Sequence, residues 1–223
     1  LISLFFFGQE SFAQNFSFER NYDSLLKKHV SIGVKDKIRT SLVDYESWGK
    51  DPEHQKAMHF LLQETPKLMV GDRKKAFWIN AYNLLTIDLI IKTNEKKSIR
   101  NLGSFLKNPW KSHSWKIHGK EYSLDTIEHK ILRKMNDPRV HTAINCASLS
   151  CPDLRNAPYS FLGIDRQLDE QTKSFLDNRT KGIYITHEGE LRISRIFKWF
   201  EDDFSGSDGV KGFIKKYKPN LSD

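Results

Sequence analysis

The chain has 223 residues, of which 38% are hydrophobic and 12% aromatic, and its formal net charge is +8 at pH 7. This length supports one substantial core and argues against two large domains, so residues 14–223 are predicted to form a single globular domain. The lysines are dispersed along the sequence, in pairs such as Lys27-Lys28 and Lys215-Lys216. Dispersed charge is typical of a solvated surface, and we expect no nucleic-acid partner.

The first residues, Leu1 to Phe7, form an uncharged apolar run that Ser11 and Ala13 follow. A signal peptidase reads small residues at two such positions, so residues 1–13 are predicted to be a signal peptide remnant. A short amphipathic membrane helix is the alternative interpretation. No later stretch has the roughly 18 consecutive apolar residues that span a bilayer. We therefore expect an exported protein, periplasmic or extracellular, with no integral membrane segment in the mature chain.

Helical signals follow in chain order. Residues 21–30 are predicted to form a short helix, and Asp51-Pro52 predicts the start of another, with Asp as N-cap and Pro at the first helical position. Residues 76–91 are apolar around nearly the whole helical circumference, which predicts a buried central helix. Asn80 and Asn83 share one face of it, as a satisfied core network or as a substrate-binding pair.

The remaining elements predict an α+β fold with helices packed on a small antiparallel sheet. One hairpin is predicted over residues 115–123, turning at Gly119, and another over residues 183–193, turning at Gly189. Helices are predicted over residues 125–135 and 165–178. A cysteine-peptidase-like layout is the fold analogy that we consider.

Two titratable side chains of the first of these helices are candidate site residues. Glu128 lies on the apolar face, where a carboxylate raises its pKa or pairs with an arginine or a histidine. His129 lies at the edge of that face, where an imidazole can be held by one neighbour and still face a cleft. A structural ion pair and a surface histidine are the alternatives.

The stretch from Arg139 to Pro152 begins as a predicted strand and ends in small polar turn residues around Cys146. In an extended segment, Cys146 and His141 point to opposite faces, so His129 is the better candidate base for this thiol. Small neighbours would let a carbonyl approach, and turn amides could stabilise an oxyanion. A buried apolar cysteine, a disulfide with Cys151 and a zinc site formed with both histidines are the alternatives.

The chain resembles domain-of-unknown-function family 547, which occurs in exported or lipid-anchored bacterial proteins and at the C-terminus of some plant proteins. The resemblance runs from Tyr22 to Tyr217. It is carried by residues 77–83 (FWINAYN), Ile127-Glu128-His129 with Arg133, residues 137–141 (DPRVH), Cys146, Cys151-Pro152, and residues 194–204 with Trp199 and Asp203. The resemblance to this family does not imply a particular reaction. The aromatic residues 196–204 are predicted to pack in the core, and Asp202 or Asp203 could orient a histidine.

These residues lead to two hypotheses from different functional classes. The first is a cysteine-dependent hydrolase or acyl-transferase acting on peptide, amide or thioester bonds of a peptide or small-molecule substrate. Its catalytic residues would be Cys146, His129, Glu128 and His141, its substrate-binding residues Asn80, Asn83 and Arg139, and we expect no cofactor or metal. The second is a non-catalytic periplasmic interaction module with a Cys146–Cys151 disulfide. The sequence gives no indication of an oligomeric state.

Overall fold

The computed structural model describes residues 7–95, 108–206 and 208–221, with side chains from Phe18 onward. The helices are α1 Phe7–His29, α2 Tyr45–Lys50, α3 Pro52–Gln63, α4 Gly71–Thr93, α5 Pro109–Ser112, α6 Leu124–Thr126, α7 Val140–Ala143, α8 Ile164–Asp177, α9 Ile196–Trp199 and α10 Gly209–Tyr217. The strands are β1 Val30–Lys35, β2 Ile38–Val43, β3 Ser114–Ile117, β4 Lys120–Ser123, β5 Ile183–Ile185 and β6 Leu191–Ile193. A π-helical segment spans Ile127–Leu132, and 3-10 turns span Pro66–Leu68, Arg133–Met135 and Glu201–Phe204. The α+β prediction is confirmed.

Helix α4 lies at the centre of the main core, as its apolar circumference predicts. Every residue from Ala76 to Ile90 is buried, so the helix is covered on all sides. Its neighbours in this core include α1 and α3, and α3 starts as predicted with Asp51 as N-cap and Pro52 in the first turn. The described part of the chain contains no helix long and apolar enough to cross a membrane.

The strands form three separate antiparallel hairpins. The hairpins β3–β4 and β5–β6 are those predicted, with Trp115 opposite Tyr122 and Tyr184 opposite Arg192. The prediction that they join into one sheet is wrong for the described residues. The third hairpin, β1–β2, was not predicted, because its turn residues Asp36 and Lys37 adopt positive φ without the glycine that usually marks such turns.

The predicted helix over residues 125–135 is built from three kinds of helical turn. The α-helical start at Leu124 passes into π geometry at Ile127 and 3-10 geometry at Arg133, and the segment ends at Asn136 with φ 53°. Single π segments within helices are frequent at functional sites. This segment carries the predicted residues Glu128 and His129.

The prediction of a strand from Arg139 to Cys146 is wrong. Residues Val140–Ala143 form the short helix α7, and extended backbone begins only at Ile144. The hydroxyl of Thr142 donates to the carbonyl of Arg139 and lies 2.9 Å from the hydroxyl of Thr172 on α8. The local bond to Arg139 and the tertiary contact with Thr172 override the β propensity of Val140 and Thr142. The argument that His141 and Cys146 lie on opposite faces of a strand therefore does not apply.

A second, smaller core lies in the C-terminal part of the chain. It packs α8 and the hairpin β5–β6 against α9 and α10, with Phe197 and Phe204 fully buried. The predicted core role of the aromatic segment is thus confirmed for these two residues, whereas Trp199 is exposed. The segment after α9 brings Asp203 back to the main core.

Candidate functional site

Four polar side chains from three segments meet where the two cores join. We call them the histidine–aspartate cluster: His129, Arg133, His141 and Asp203. The helical segment from Leu124 to Met135 supplies His129 and Arg133, α7 supplies His141, and the 3-10 turn after α9 supplies Asp203. Arg133 and His141, together with Asp203, line a cleft of about 620 Å³.

Asp203 is the hub of the cluster. Arg133 donates to both of its oxygens, from Nε at 2.5 Å and from Nη2 at 2.9 Å, and His141 Nε2 lies 2.7 Å from Oδ2. Burial favours a higher pKa for this carboxyl, but the hydrogen bonds from Arg133 and His141 outweigh it and lower its pKa. Asp203 is therefore ionised at neutral pH, and the prediction that an aspartate of this segment orients a histidine is confirmed.

His141 is held as a neutral imidazole with one unused nitrogen. Its side chain is 1% exposed, and its ring stacks on Phe200 at 4.0 Å between centroids. Burial lowers its pKa, although the carboxylate of Asp203 acts in the opposite direction. Since Nε2 donates to Asp203, the lone pair is on Nδ1, which is buried and has no partner in the described part of the chain. An unpaired buried nitrogen costs free energy, and a catalytic role is one of the explanations for such a group.

His129 is not organised as a base for a neighbouring thiol. Its Nδ1 accepts a hydrogen bond from Arg133 Nη1 at 3.1 Å, which places its proton on Nε2, 3.6 Å from Asp125 Oδ1. A guanidinium that donates to the lone pair opposes its use for proton abstraction. The predicted role of His129 as general base stays a prediction that would need Arg133 to move.

Glu128 lies beside the cluster, and its partner was not predicted. Burial raises its pKa, in the predicted direction, while the charge that His129 carries when protonated, the hydrogen bond from Tyr82 and the guanidinium of Arg133 lower it less. Its Oε2 accepts from the Tyr82 hydroxyl at 3.1 Å. Tyr82 projects from α4 and is fully buried. The position of Tyr82 between Asn80 and Asn83 in the apolar helix was the one feature of the sequence that could have indicated this partner.

The two cysteines form the Cys146–Cys151 disulfide, so the chain contains no free thiol. The disulfide closes a short loop in which Ala147 adopts φ 57°. The side chain of Asn145 spans this loop, since its Oδ1 accepts from Ala147 N and its Nδ2 donates to Pro152 O, both at 2.8 Å. Cys146 is not a nucleophile in this oxidised form, and a catalytic role would require reduction.

Asn80 and Asn83 are satisfied core amides, as the structural alternative predicts. Asn80 exchanges two hydrogen bonds with the backbone of Tyr159, both at 2.8 Å. Asn83 donates to Ala143 O at 3.0 Å and accepts from Asn145 N at 2.8 Å. Both amides therefore fasten the segment after α7 to the central helix. Neither has an oxygen or nitrogen left without a protein partner, and their predicted contact with a substrate stays a prediction.

Arg139 is also committed to internal partners. It binds Asp137 through Nε and Nη2 at 2.9 Å each, Asp169 at 2.8 Å and Asp165 at 2.6 Å. Asp137 accepts in addition from Lys75 at 2.7 Å. Although burial opposes it, these bonds lower the pKa of Asp137 to about 2. The arrangement is a network that ties α7 to α8 and α4, and substrate binding by Arg139 stays a prediction.

A metal centre has no support in the ranges that the structure describes. No group of three or more histidine, cysteine, aspartate or glutamate side chains within them is placed to hold an ion. The zinc alternative would also need two thiolates, and both sulfurs are bonded to each other.

Residues 66–176 match the family described as "Protein of unknown function, DUF547". No curated protein matches the sequence, and neither does any solved structure. The match covers α4, Glu128, three members of the histidine–aspartate cluster and the disulfide loop, and it ends before Asp203. Through residues 66–176, the chain therefore belongs to the DUF547 family, whose function is unknown.

Proposed function

We propose that the protein is a non-catalytic interaction module that recognises its partner through the loop around the Cys146–Cys151 disulfide. The disulfide is the observation that carries this proposal, because it removes the thiol on which the hydrolase hypothesis depends. It also closes a short loop between α7 and α8 and limits the conformations of the exposed residues Ser148 and Ser150. A recognition loop fixed in advance loses less entropy when a partner binds.

A cleft of about 690 Å³ lies against this loop. Asn145, Ala147 and Leu149 line one side, while Ser41 of β2 and Ile91 of α4 line the other. This mixture of apolar walls and a few polar groups suits a peptide segment or a small molecule. The proposal places the module in an oxidising compartment, in line with the predicted export, since disulfides persist there.

Alkylation of the unreduced protein tests the thiol state directly. We expect iodoacetamide to label neither Cys146 nor Cys151 before a reductant is added, and peptide mapping should find both labelled afterwards. The control is unreduced protein in guanidinium chloride, where burial no longer protects a thiol and only a disulfide prevents labelling. Rapid labelling of Cys146 near pH 6 without reductant would contradict the module and support an activated thiolate.

A second function, that of a thiol hydrolase or acyl-transferase active after reduction, is favoured by the unpaired Nδ1 of His141. In this chemistry a dithiol reductant cleaves the disulfide, and Cys146 loses its proton to a histidine. The thiolate then attacks the carbonyl carbon of a peptide, amide or thioester, and the leaving group departs with that proton. Water finally hydrolyses the thioester intermediate and regenerates the thiol. Asp203 would hold the histidine in the required tautomer, as it holds His141.

Two single-cysteine variants separate these functions. Cys151→Ala leaves Cys146 as a free thiol without reductant, whereas Cys146→Ala leaves Cys151 free and serves as the matched control. The hydrolase requires that Cys151→Ala turn over an acyl thioester and that His141→Ala in that background lose about 10²-fold to 10⁴-fold in rate. Equal background rates for all of these variants, measured by release of the thiol product, would support the non-catalytic module.

A further inference from the structure

Six lysines from four segments of the chain line one cleft of about 530 Å³, which we call the lysine cleft. They are Lys67, Lys74, Lys75, Lys120, Lys130 and Lys134. Asp72 is the one carboxylate among the described residues that line it. The lysine cleft shares no lining residue with the cleft beside the disulfide loop.

Most of this positive charge has no ion-pair partner among the residues that the structure describes. Lys75 donates to Asp137 at 2.7 Å, and the ammonium of Lys120 lies 5.3 Å from the ring centre of Tyr122. The other four lysines form no ion pair with any residue in the described ranges. Like charges gathered around a concave surface repel one another and raise the local concentration of anions.

The N-terminus of α4 opens onto the same cleft. Lys74 and Lys75 lie in its first turns, where the helix dipole favours negative charge and disfavours lysine. The preceding residue, Val70, offers no side-chain acceptor to the first amides of the helix. These amides are ready donors for an anion. An anionic ligand bound there would interact favourably with both the lysines and the helix dipole, and would offset the repulsion between them.

Trp78 contributes a buried, unpaired N–H group to the wall of the cleft. Trp78 lines the cleft, and its Nε1–H is buried without a hydrogen-bond partner in the described part of the chain. Its ring packs on Tyr122 with 4.8 Å between centroids, and Ile131 and Met135 extend this apolar wall. The cleft thus combines ammonium groups and helix amides with an apolar surface, and an unsatisfied indole N–H is buried in its wall.

We propose that the lysine cleft binds a small ligand that carries one or more phosphate groups and an apolar portion. A phosphate offers several acceptor oxygens and more than one negative charge, which matches donors that converge from the lysines and from the start of α4. The volume suits a small molecule. Leu68 and Val70, which precede α4, are 81% and 79% exposed. The phosphate can belong to a soluble ester or to a phospholipid headgroup. In the second case, the exposed side chains of Leu68 and Val70 would enter the lipid bilayer.

The first experiment titrates the intact protein with inorganic pyrophosphate, against sodium chloride at matched ionic strength, and follows the assigned Trp78 Nε1–H resonance by NMR. We expect a saturable shift of this resonance. The double variant Lys130→Glu/Lys134→Glu should weaken binding roughly tenfold or more. Lys56→Glu/Lys198→Glu makes the same charge change at exposed lysines outside the cleft and should leave binding nearly unchanged.

Vesicles identify the source of the phosphate. The ligand is a lipid headgroup if the protein binds phosphatidylglycerol vesicles but not phosphatidylcholine vesicles, and if the double variant Leu68→Ser/Val70→Ser loses this binding. Saturation by pyrophosphate without such vesicle binding assigns it to a soluble phosphate ester. A Trp78 resonance that does not saturate, or equal weakening in both pairs of lysine variants, overturns the proposal. None of these results depends on the thiol state of Cys146.

Discussion

Replacement of Asp88 by alanine is expected to lower the free energy of unfolding by about 3–5 kcal/mol, because it leaves buried donors without an acceptor. Asp88 is buried on α4 and accepts from Trp115 Nε1 at 2.6 Å, with His54 Nε2 at 3.1 Å. Trp48 Nε1 donates to His54 Nδ1, which fixes the proton of this imidazole on Nε2. Without the carboxylate, both N–H groups remain in the core with no partner.

Chemical denaturation at neutral pH measures this loss, and Lys92→Ala is the matched control. Lys92 pairs with the same carboxylate at 2.8 Å, but its side chain is 60% exposed. Exposed pairs of this spacing contribute about 0.5 kcal/mol or less. A loss below about 1 kcal/mol for Asp88→Ala, or equal losses for the two variants, would show that the buried network does not stabilise the main core.

Glu64→Gln is expected to stabilise the protein at pH 8 by about 3 kcal/mol and to have little effect below pH 4.5. Burial raises the pKa of Glu64 to about 7, although Arg73 acts to lower it. The folded state therefore favours the protonated carboxyl, so the stability that it contributes is present below pH 4.5. This stability is lost as the pH rises from about 4.5 to about 7. A glutamine has the shape of the protonated acid and does not titrate.

The free energy of unfolding of both proteins, measured at several pH values between 4 and 8, tests this expectation. Other groups titrate in the same range, and the difference between the two proteins removes their contribution. We expect this difference to rise with pH and to level off above about pH 7. A difference that is constant over the range would mean that Glu64 has the same pKa in the folded and unfolded states, and a difference that falls with pH would mean that folding lowers its pKa.

Local sequence signals were sufficient for the central helix, the start of α3 and two hairpins, but not for α7, which carries His141 and was predicted to be a strand. The apolar circumference of residues 76–91 specified a buried α4, because a helix with no polar face can be stable only when it is covered on every side. Asp51-Pro52 marked the start of α3, and the glycine-centred turns marked two hairpins. In each case the determining interactions lie within a few residues, so the sequence pattern contains them.

The histidine–aspartate cluster was only partly accessible from the sequence. The apolar face around Glu128 predicted a carboxyl that either has a raised pKa or is paired, because the helical period determines which residues surround it. Burial does raise the pKa of Glu128, and the carboxyl also has a hydrogen-bond partner. Its hydrogen bond to Tyr82 and the pairing of Asp203 with both Arg133 and His141 connect residues 46 to 70 positions apart. No local pattern encodes such distances, because they depend on how the two cores pack together.

The sequence by itself determined the fold class, the central helix, the family and a short list of polar candidates. The tertiary structure decided the state of each candidate: Cys146 bonded to Cys151, Asn80 and Asn83 satisfied by backbone, His129 occupied by Arg133, and His141 left with one unpaired nitrogen. It also gathered lysines that are dispersed along the sequence into one cleft. The physical reason is that helix and turn formation depends on near neighbours, whereas hydrogen-bond partners and surface charge depend on the packing of distant segments.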